Sequence, residues 1–209
     1  MKKKTLLLDI DEVFCFSGFL EAVNEFLGTS YVIDDFTSYY IDEAAIPKER
    51  FDEFNLFLKG RNLYENIFIL PGAIEAIKAL SEEYDIYVCS SCINPFDVEG
   101  SGSLFADKYN MLLEHLPFID PGHFIFTSAK HMFRADVQID DRLSNLDESI
   151  ETRILFPSYH NKDITDEELR EKGVLRAGYD WRYGWENVLN LLLSKETIKR
   201  KNLEIKENA

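Results

Sequence analysis

Residues 5–13, Thr5-Leu6-Leu7-Leu8-Asp9-Ile10-Asp11-Glu12-Val13, carry an apolar run straight into two carboxylates spaced two apart. A second stretch of the same kind, Val137-Gln138-Ile139-Asp140-Asp141-Arg142, lies far along the chain. In each, acidic groups stand where a buried strand runs out into a loop, and that edge is where an open parallel α/β sheet carries its chemistry. Carboxylates converging from two strand ends repel one another unless something positive lies between them. A hard cation such as Mg²⁺ is the usual answer. The pattern predicts a metal-dependent enzyme.

Outward from this stretch, residues 5–10 read as a first, fully buried strand and residues 17–27 as a helix closed by Gly28. Phe19, Leu20, Val23, Phe26 and Leu27 share one face of that helix. Pro47 opens a second helical stretch through Phe51, Phe54 and Leu58 that Gly60 ends. The aromatic and acidic segment 31–46 between them has no clear period. No continuous apolar strand follows until residues 84–90, so a mostly helical insertion is expected after the first strand. The pattern then becomes regular. A helix over 73–83 leads to a strand at 85–89, a helix over 107–116, and strands at 124–127, 136–139, 153–156 and 174–177; a helix over 184–194 closes the series. Strands alternating with helices predict an α/β fold with a doubly wound parallel sheet. The charged tail 195–209 is expected to be a frayed or solvated extension.

With 209 residues, 45% apolar and 13% aromatic, the chain can bury a core for one domain, or for one domain carrying a smaller insertion. Its 23 basic and 38 acidic side chains give a formal net charge of −15. That balance argues against a general binder of nucleic acid or anionic membranes, whose affinity comes from neutralising phosphates. A small phosphorylated ligand is still compatible, provided metal, lysines and backbone N–H groups concentrate positive charge locally. No apolar stretch approaches a transmembrane length, and Asp9 and Asp11 interrupt the segment after Lys2-Lys3-Lys4 too soon for an export signal. A cytoplasmic protein is expected, in keeping with three cysteines that cannot all pair.

On an extended backbone Asp9 and Asp11 would face one side, so one can serve as nucleophile or ligand while the other handles protons. Ser90 and Ser91 end an apolar strand, where a hydroxyl and exposed N–H groups can hold a phosphoryl oxygen or simply make a serine turn. Lys130 precedes Asp140 by one loop and one strand, so it is either a surface charge or an ammonium returning to the same edge. Either Asp140 or Asp141 can be a direct metal ligand. Cys89-Ser90-Ser91-Cys92 has dithiol spacing without the usual helix-entry surroundings. His115, His123, His131 and His160 show no metal-ligand spacing, although His160-Asn161 can line the site edge or form a turn.

Taken in order, Asp9-Ile10-Asp11-Glu12-Val13, Ser90, Lys130 and Asp140-Asp141 resemble the four motifs of haloacid-dehalogenase-like phosphatases. More narrowly, the chain resembles the 5′(3′)-deoxyribonucleotidase family. The segments that carry this likeness are Val88-Cys89-Ser90-Ser91, Asp107-Lys108-Tyr109, Phe126-Thr127-Ser128-Ala129-Lys130 and Ala135-Asp136-Val137-Gln138-Ile139-Asp140-Asp141-Arg142. Arg153-Ile154-Leu155-Phe156-Pro157 with His160-Asn161 adds to it. The resemblance implies a Rossmann-like core over 1–14 and 72–200, a helical cap over 15–71 and a charged tail at 201–209. It also implies a Mg²⁺-dependent phosphomonoester hydrolase acting on (deoxy)nucleoside monophosphates.

In that scheme Asp9 is the nucleophile that forms an aspartyl-phosphate, and Asp11 protonates the leaving oxygen and then activates water. Asp9, the carbonyl of Asp11 and Asp141 hold Mg²⁺ with Asp140 in support; Ser90, Ser91, Lys108 and Lys130 bind phosphate. Phe14, Phe16, Phe19, Phe36, Tyr39 and Tyr40 either stack on a base or pack the cap core. A homodimer is allowed. Glu12 departs from the family pattern, which usually has glycine there, and its bulk and charge beside the site are expected to alter substrate range or activity. The competing expectations are a phosphatase for another small phosphomonoester such as a sugar phosphate, a binding module that has kept the fold and lost turnover, and, more distantly, a dithiol oxidoreductase.

Overall fold

A computed structural model describes residues 2–94 and 97–193. Strand β1 (Lys4–Leu8) buries Leu6, Leu7 and Leu8 together, which requires cover on both faces and a central place in the sheet. A short strand β2 (Cys15–Phe16) follows, and three helices come next: α1 (Phe19–Leu27), α2 (Ile41–Ala45) and α3 (Phe51–Leu58). Strand β3 (Phe68–Ile69) returns antiparallel to β2, so the chain leaves and re-enters the sheet region through adjacent strands.

Helix α4 (Ala73–Glu83) then buries Ala73, Ala76, Ile77 and Leu80, a helical stripe facing the sheet. Beyond it run β4 (Tyr84–Ser90), α5 (Ser101–His115), β5 (Phe124–Phe126), β6 (Val137–Asp140), β7 (Thr152–Leu155), α6 (Asp166–Glu171), β8 (Leu175–Arg176) and α7 (Gly184–Leu192). None of the described helices is long and apolar enough to cross a membrane.

The main sheet has six parallel strands in the order β5-β4-β1-β6-β7-β8. This is the doubly wound α/β sheet expected, and the strand order reverses direction at β1. Ligand crevices in such sheets open outside the carboxyl ends of the strands at that switch point. Register brings the motifs to that edge. Leu8 lies opposite both Val88 and Ile139, so Asp9, Ser90 and Asp140 leave the sheet together. Ser90 in turn pairs with Phe126, which delivers Lys130 to the same side.

The largest apolar cluster covers one face of this sheet and includes Leu6, Leu8, Ile77, Val88, Ile139 and Trp185, while Leu7, Cys89 and Ile150 form a smaller cluster on the other. Trp185 also donates its indole N–H to the Val13 carbonyl at 2.8 Å, which ties α7 to the loop after β1. A second cluster holds α1 to α3 together through Val23, Phe36, Ile41, Ile46 and Phe54, and Tyr159 reaches it from the loop after β7.

Several elements differ from expectation. β1 ends at Leu8 instead of residue 10, because Asp9 turns its own carboxylate onto the Ile10 N–H and three later N–H groups converge on the Ile10 carbonyl. α5 begins at Ser101, six residues before the apolar period shows, where the Asp97 carboxylate accepts from Gly100 N–H and the Ser101 hydroxyl links Asn94 N–H to the Asp97 carbonyl. β2, β3 and α6 had no expected counterpart. Yet α6 starts at a Thr165 whose hydroxyl caps Glu168 N–H, a signal present in the sequence. The segment 31–46 holds a 3₁₀ turn at Ile33–Asp35 and helix α2. α7 ends at Leu192; Ser194 and the tail 195–209 lie outside the described residues.

A Cβ on Gly184 would fall 2.4 Å from the Phe156 ring, whereas one on Gly102 in α5 would meet nothing within 4 Å. Gly184→Ala is therefore expected to lower stability by about 1–3 kcal/mol through overpacking. Gly102→Ala should raise it by about 0.5–1 kcal/mol. Urea midpoints of the two variants check both.

Candidate active site

Asp9, the residue after β1, is buried with its carboxylate 2.8 Å from Lys130 Nζ. The same ammonium lies 2.6 Å from Asp140 Oδ2 at the end of β6. Asp140 Oδ1 accepts from Arg142 N–H and Asn145 Nδ2, each at 2.9 Å, so both of its oxygens are held in place. Burial works against the Lys130 charge, but the two carboxylates outweigh it and hold the ammonium protonated. Burial and the neighbouring Asp9 push Asp140 up to about 6 in spite of Lys130.

Asp11 belongs to a different set of contacts. The chain leaves strand geometry after Leu8, so the two N-terminal carboxylates do not form one pair on an extended face: Asp9 meets Lys130 and Asp11 meets Lys108. Lys108, fully buried on α5, places Nζ 2.5 Å from Asp11 Oδ2, 2.9 Å from Ser90 Oγ and 2.7 Å from the Ser91 carbonyl. Burial opposes its charge, and Asp11 more than compensates. The Tyr64 hydroxyl donates to Asp11 Oδ1 at 3.0 Å. Ser90 is buried at this junction, while Ser91 presents its carbonyl to the lysine.

Asp141 is buried beside Asp140 and accepts from His160 Nε2 at 2.6 Å. Asn161 holds the backbone here, donating to the carbonyls of Asp141 and Phe156 at 2.7 and 2.8 Å. Glu12 completes the group, with Oε2 2.9 Å from His160 Nε2. Burial pushes Asp141 well up against the opposing His160 hydrogen bond. Burial would lower His160, but Asp141 and Glu12 raise it to about 9. Asp9, Glu12, Asp140 and Asp141 crowd together here, and their mutual repulsion adds to the effect of burial on Asp140 and Asp141.

Single ligand oxygens of Asp9, Asp140 and Asp141 come within 4.8 Å of one another, and all three residues are buried. An all-oxygen donor set with excess negative charge fits a hard divalent cation such as Mg²⁺.

Every site residue singled out in the sequence therefore lies at this edge: Asp9, Asp11, Ser90, Ser91, Lys108, Lys130, Asp140 and Asp141. Of the two readings open for His160-Asn161, the structure takes the site edge. His160 has no ligand spacing in sequence, yet the fold sets it between Asp141 and Glu12. Tyr64, Asn145, Ser158 and Tyr159 also join the site without any local sequence signal. Phe14 is core and Phe36 packs among the helices of the insertion, whereas Tyr39 and Tyr40 are partly open. Arg142 stacks its guanidinium 4.2 Å over the Tyr39 ring. Cys89 and Cys92 are buried free thiols, each pushed up to about 11, first of all by burial, which leaves little thiolate for redox exchange.

A parallel sheet with these four motifs at its carboxyl edge defines a haloacid-dehalogenase-like hydrolase. Residues 3–173 match the profile of the family described as 5′ nucleotidase, deoxy (pyrimidine), cytosolic type C protein, and the chain belongs to this family. Its enzyme class is accordingly that of a 5′-nucleotidase phosphomonoesterase. A provisionally named 5′(3′)-deoxyribonucleotidase of Staphylococcus epidermidis is 30% identical over 198 residues, 94% of this chain and 99% of the relative. The 5′(3′)-deoxyribonucleotidase of Bacillus subtilis is 31% identical over 102 residues, 49% of this chain and 56% of its own. Among solved structures, the haloacid dehalogenase-like family protein of Streptococcus pneumoniae aligns at a TM-score of 0.39 and 15% identity, covering 91% of each chain.

Lys130→Met would strand the Asp9 and Asp140 carboxylates without their shared cation and is expected to cost about 3–5 kcal/mol. Adding Asp140→Asn should recover part of that loss. Urea unfolding of the single and double variants in metal-free buffer checks the pairing.

Proposed function

We propose that this chain is a Mg²⁺-dependent phosphatase of deoxynucleoside monophosphates that works through a phosphoryl group carried on Asp9. The observation that carries this reading is the separation of the two N-terminal aspartates. Asp9 is buried against Lys130, whereas Asp11 is partly open and held by Lys108 and Tyr64. Two carboxylates in unlike surroundings suit two unlike roles.

In the first step an Asp9 oxygen bonds to phosphorus as the bond from phosphorus to the nucleoside oxygen breaks, and Asp11 gives that oxygen its proton. In the second, Asp11 takes a proton from water, the water oxygen bonds to phosphorus and the Asp9 acyl-phosphate bond breaks. Lys130, the Ser90 hydroxyl and Lys108 would counter charge on the phosphoryl oxygens. Asp9, the Asp11 carbonyl and Asp141 would hold Mg²⁺, with Asp140 behind them. Bound there, the metal would screen the phosphate from the nucleophile's own negative charge.

The helical insertion between β2 and β3 would act as the cap, and residues 15–71 as its span. Tyr39, Tyr40 and Arg142 at its junction with the core are suited to stack on a nucleoside. The family and the names of its relatives support a nucleotide substrate. A cytoplasmic setting suits three buried free cysteines.

Phosphate release from a panel of 5′- and 3′-(deoxy)nucleotides and sugar phosphates tests the reading. Turnover should need Mg²⁺, vanish with EDTA and concentrate on deoxynucleotides. Asp9→Asn should abolish it, and Asp11→Asn should cost about 10²–10⁴-fold in kcat. Full turnover by Asp9→Asn would sink the mechanism. A preference for sugar phosphates would move the substrate, and no turnover at all would leave a binding protein.

A further inference from the structure

We propose that Glu12 is a positioning residue that acts through His160 to fix which oxygen of Asp141 faces the metal. The inference rests on the reading of Asp141 as a Mg²⁺ ligand.

Glu12 is the one non-glycine residue among those described with positive φ, at 65°. An L-residue is strained in this left-handed region and glycine is not. Strain of this kind persists only where the surroundings over-determine it, and here the surroundings are specific. The Glu12 carboxylate binds three successive residues of the loop after β7. Oε1 lies 2.9 Å from the Tyr159 hydroxyl, while Oε2 accepts from Ser158 Oγ at 3.1 Å and lies 2.9 Å from His160 Nε2. The loop carrying the nucleophile is thus tied to the loop carrying His160, 148 residues away, by a side chain that glycine lacks.

His160 then passes this constraint to Asp141. Its Nε2 lies 2.6 Å from Asp141 Oδ2, so Glu12 and Asp141 share one imidazole edge. The ring is also oriented by edge-on contacts with Tyr39 and Tyr159, each with centroids 5.1 Å apart. With Oδ2 committed to His160, Oδ1 is the Asp141 oxygen free to meet a cation. Partners one bond behind a ligand set its direction in this way and are worth 10–100-fold in metal affinity when removed. Glu12 also adds a negative charge near the metal, so its effect through His160 must be separated from its effect through charge alone.

A double-mutant cycle makes that separation. Mn²⁺ binding to the full chain, read by electron paramagnetic resonance, reports the site without turnover; kcat and KM at saturating and limiting Mg²⁺ are measured beside it. Glu12→Gln and His160→Gln should each weaken Mn²⁺ binding by roughly 10-fold. Each should lower kcat at limiting Mg²⁺ more than it changes KM for substrate. The double variant should be no weaker than either single one. Glu12→Gly, which relieves the backbone, should keep or raise the melting temperature and still lose the affinity.

Losses that multiply in the double variant would mean that Glu12 acts by charge alone and would overturn the proposal. Wild-type affinity in Glu12→Gln and Glu12→Gly would overturn it as well. A wild-type protein that binds no Mn²⁺ would instead remove the metal reading, and the proposal with it.

Discussion

The ammonium of Lys130, shared between Asp9 and Asp140, is the contact on which the site depends. Two buried carboxylates brought together by adjacent strands would otherwise repel, and neither can turn to solvent. Their meeting follows from β1 and β6 being neighbours in register, so sheet pairing and ion pairing are one constraint. The lysine reaches this position because β5 lies two strands from β1 and ends at the same edge. Remove the charge pairing and the tight convergence of β1 and β6 at their carboxyl ends becomes unfavourable.

In a chain with net charge −15, positive charge is scarce, and two lysines are buried at this edge of the sheet. Lys108 and Lys130 are both buried lysines, each held protonated by the aspartates it serves. Each lysine takes one of the two N-terminal aspartates, which makes residues two apart chemically different. Around Asp141 the balance is less complete. There His160 faces two carboxylates, and the loops bearing Glu12 and Tyr159 are drawn together around it.

Much of this was legible before any coordinates. Leu6-Leu7-Leu8 has no polar face, which marks a central parallel strand, and acids directly after such runs mark the functional edge. The order of Asp9, Ser90, Lys130 and Asp140-Asp141 along the chain therefore carried the fold and the edge of the sheet where these side chains meet. What stayed hidden were contacts between residues whose neighbours say nothing about them. Tyr64 sits in a segment without period and reaches Asp11 only because β3 returns beside β2. His160 and Glu12 are 148 positions apart, and nothing local to either suggests a shared hydrogen bond. β2 and β3, at two residues each, are too short to leave a pattern. Glu12 was visible as an unusual residue, but its left-handed backbone and its three partners could come only from the fold.

The central claim is that the phosphoryl group passes through Asp9. It is met most directly by quenching the Mg²⁺-loaded protein in acid during turnover of a deoxynucleotide, reducing it with borohydride and mapping the product by peptide mass spectrometry. The account predicts that reduction converts Asp9 to homoserine, only when substrate is present and not in Asp9→Asn. An adduct on another residue, or none during confirmed turnover, would contradict it.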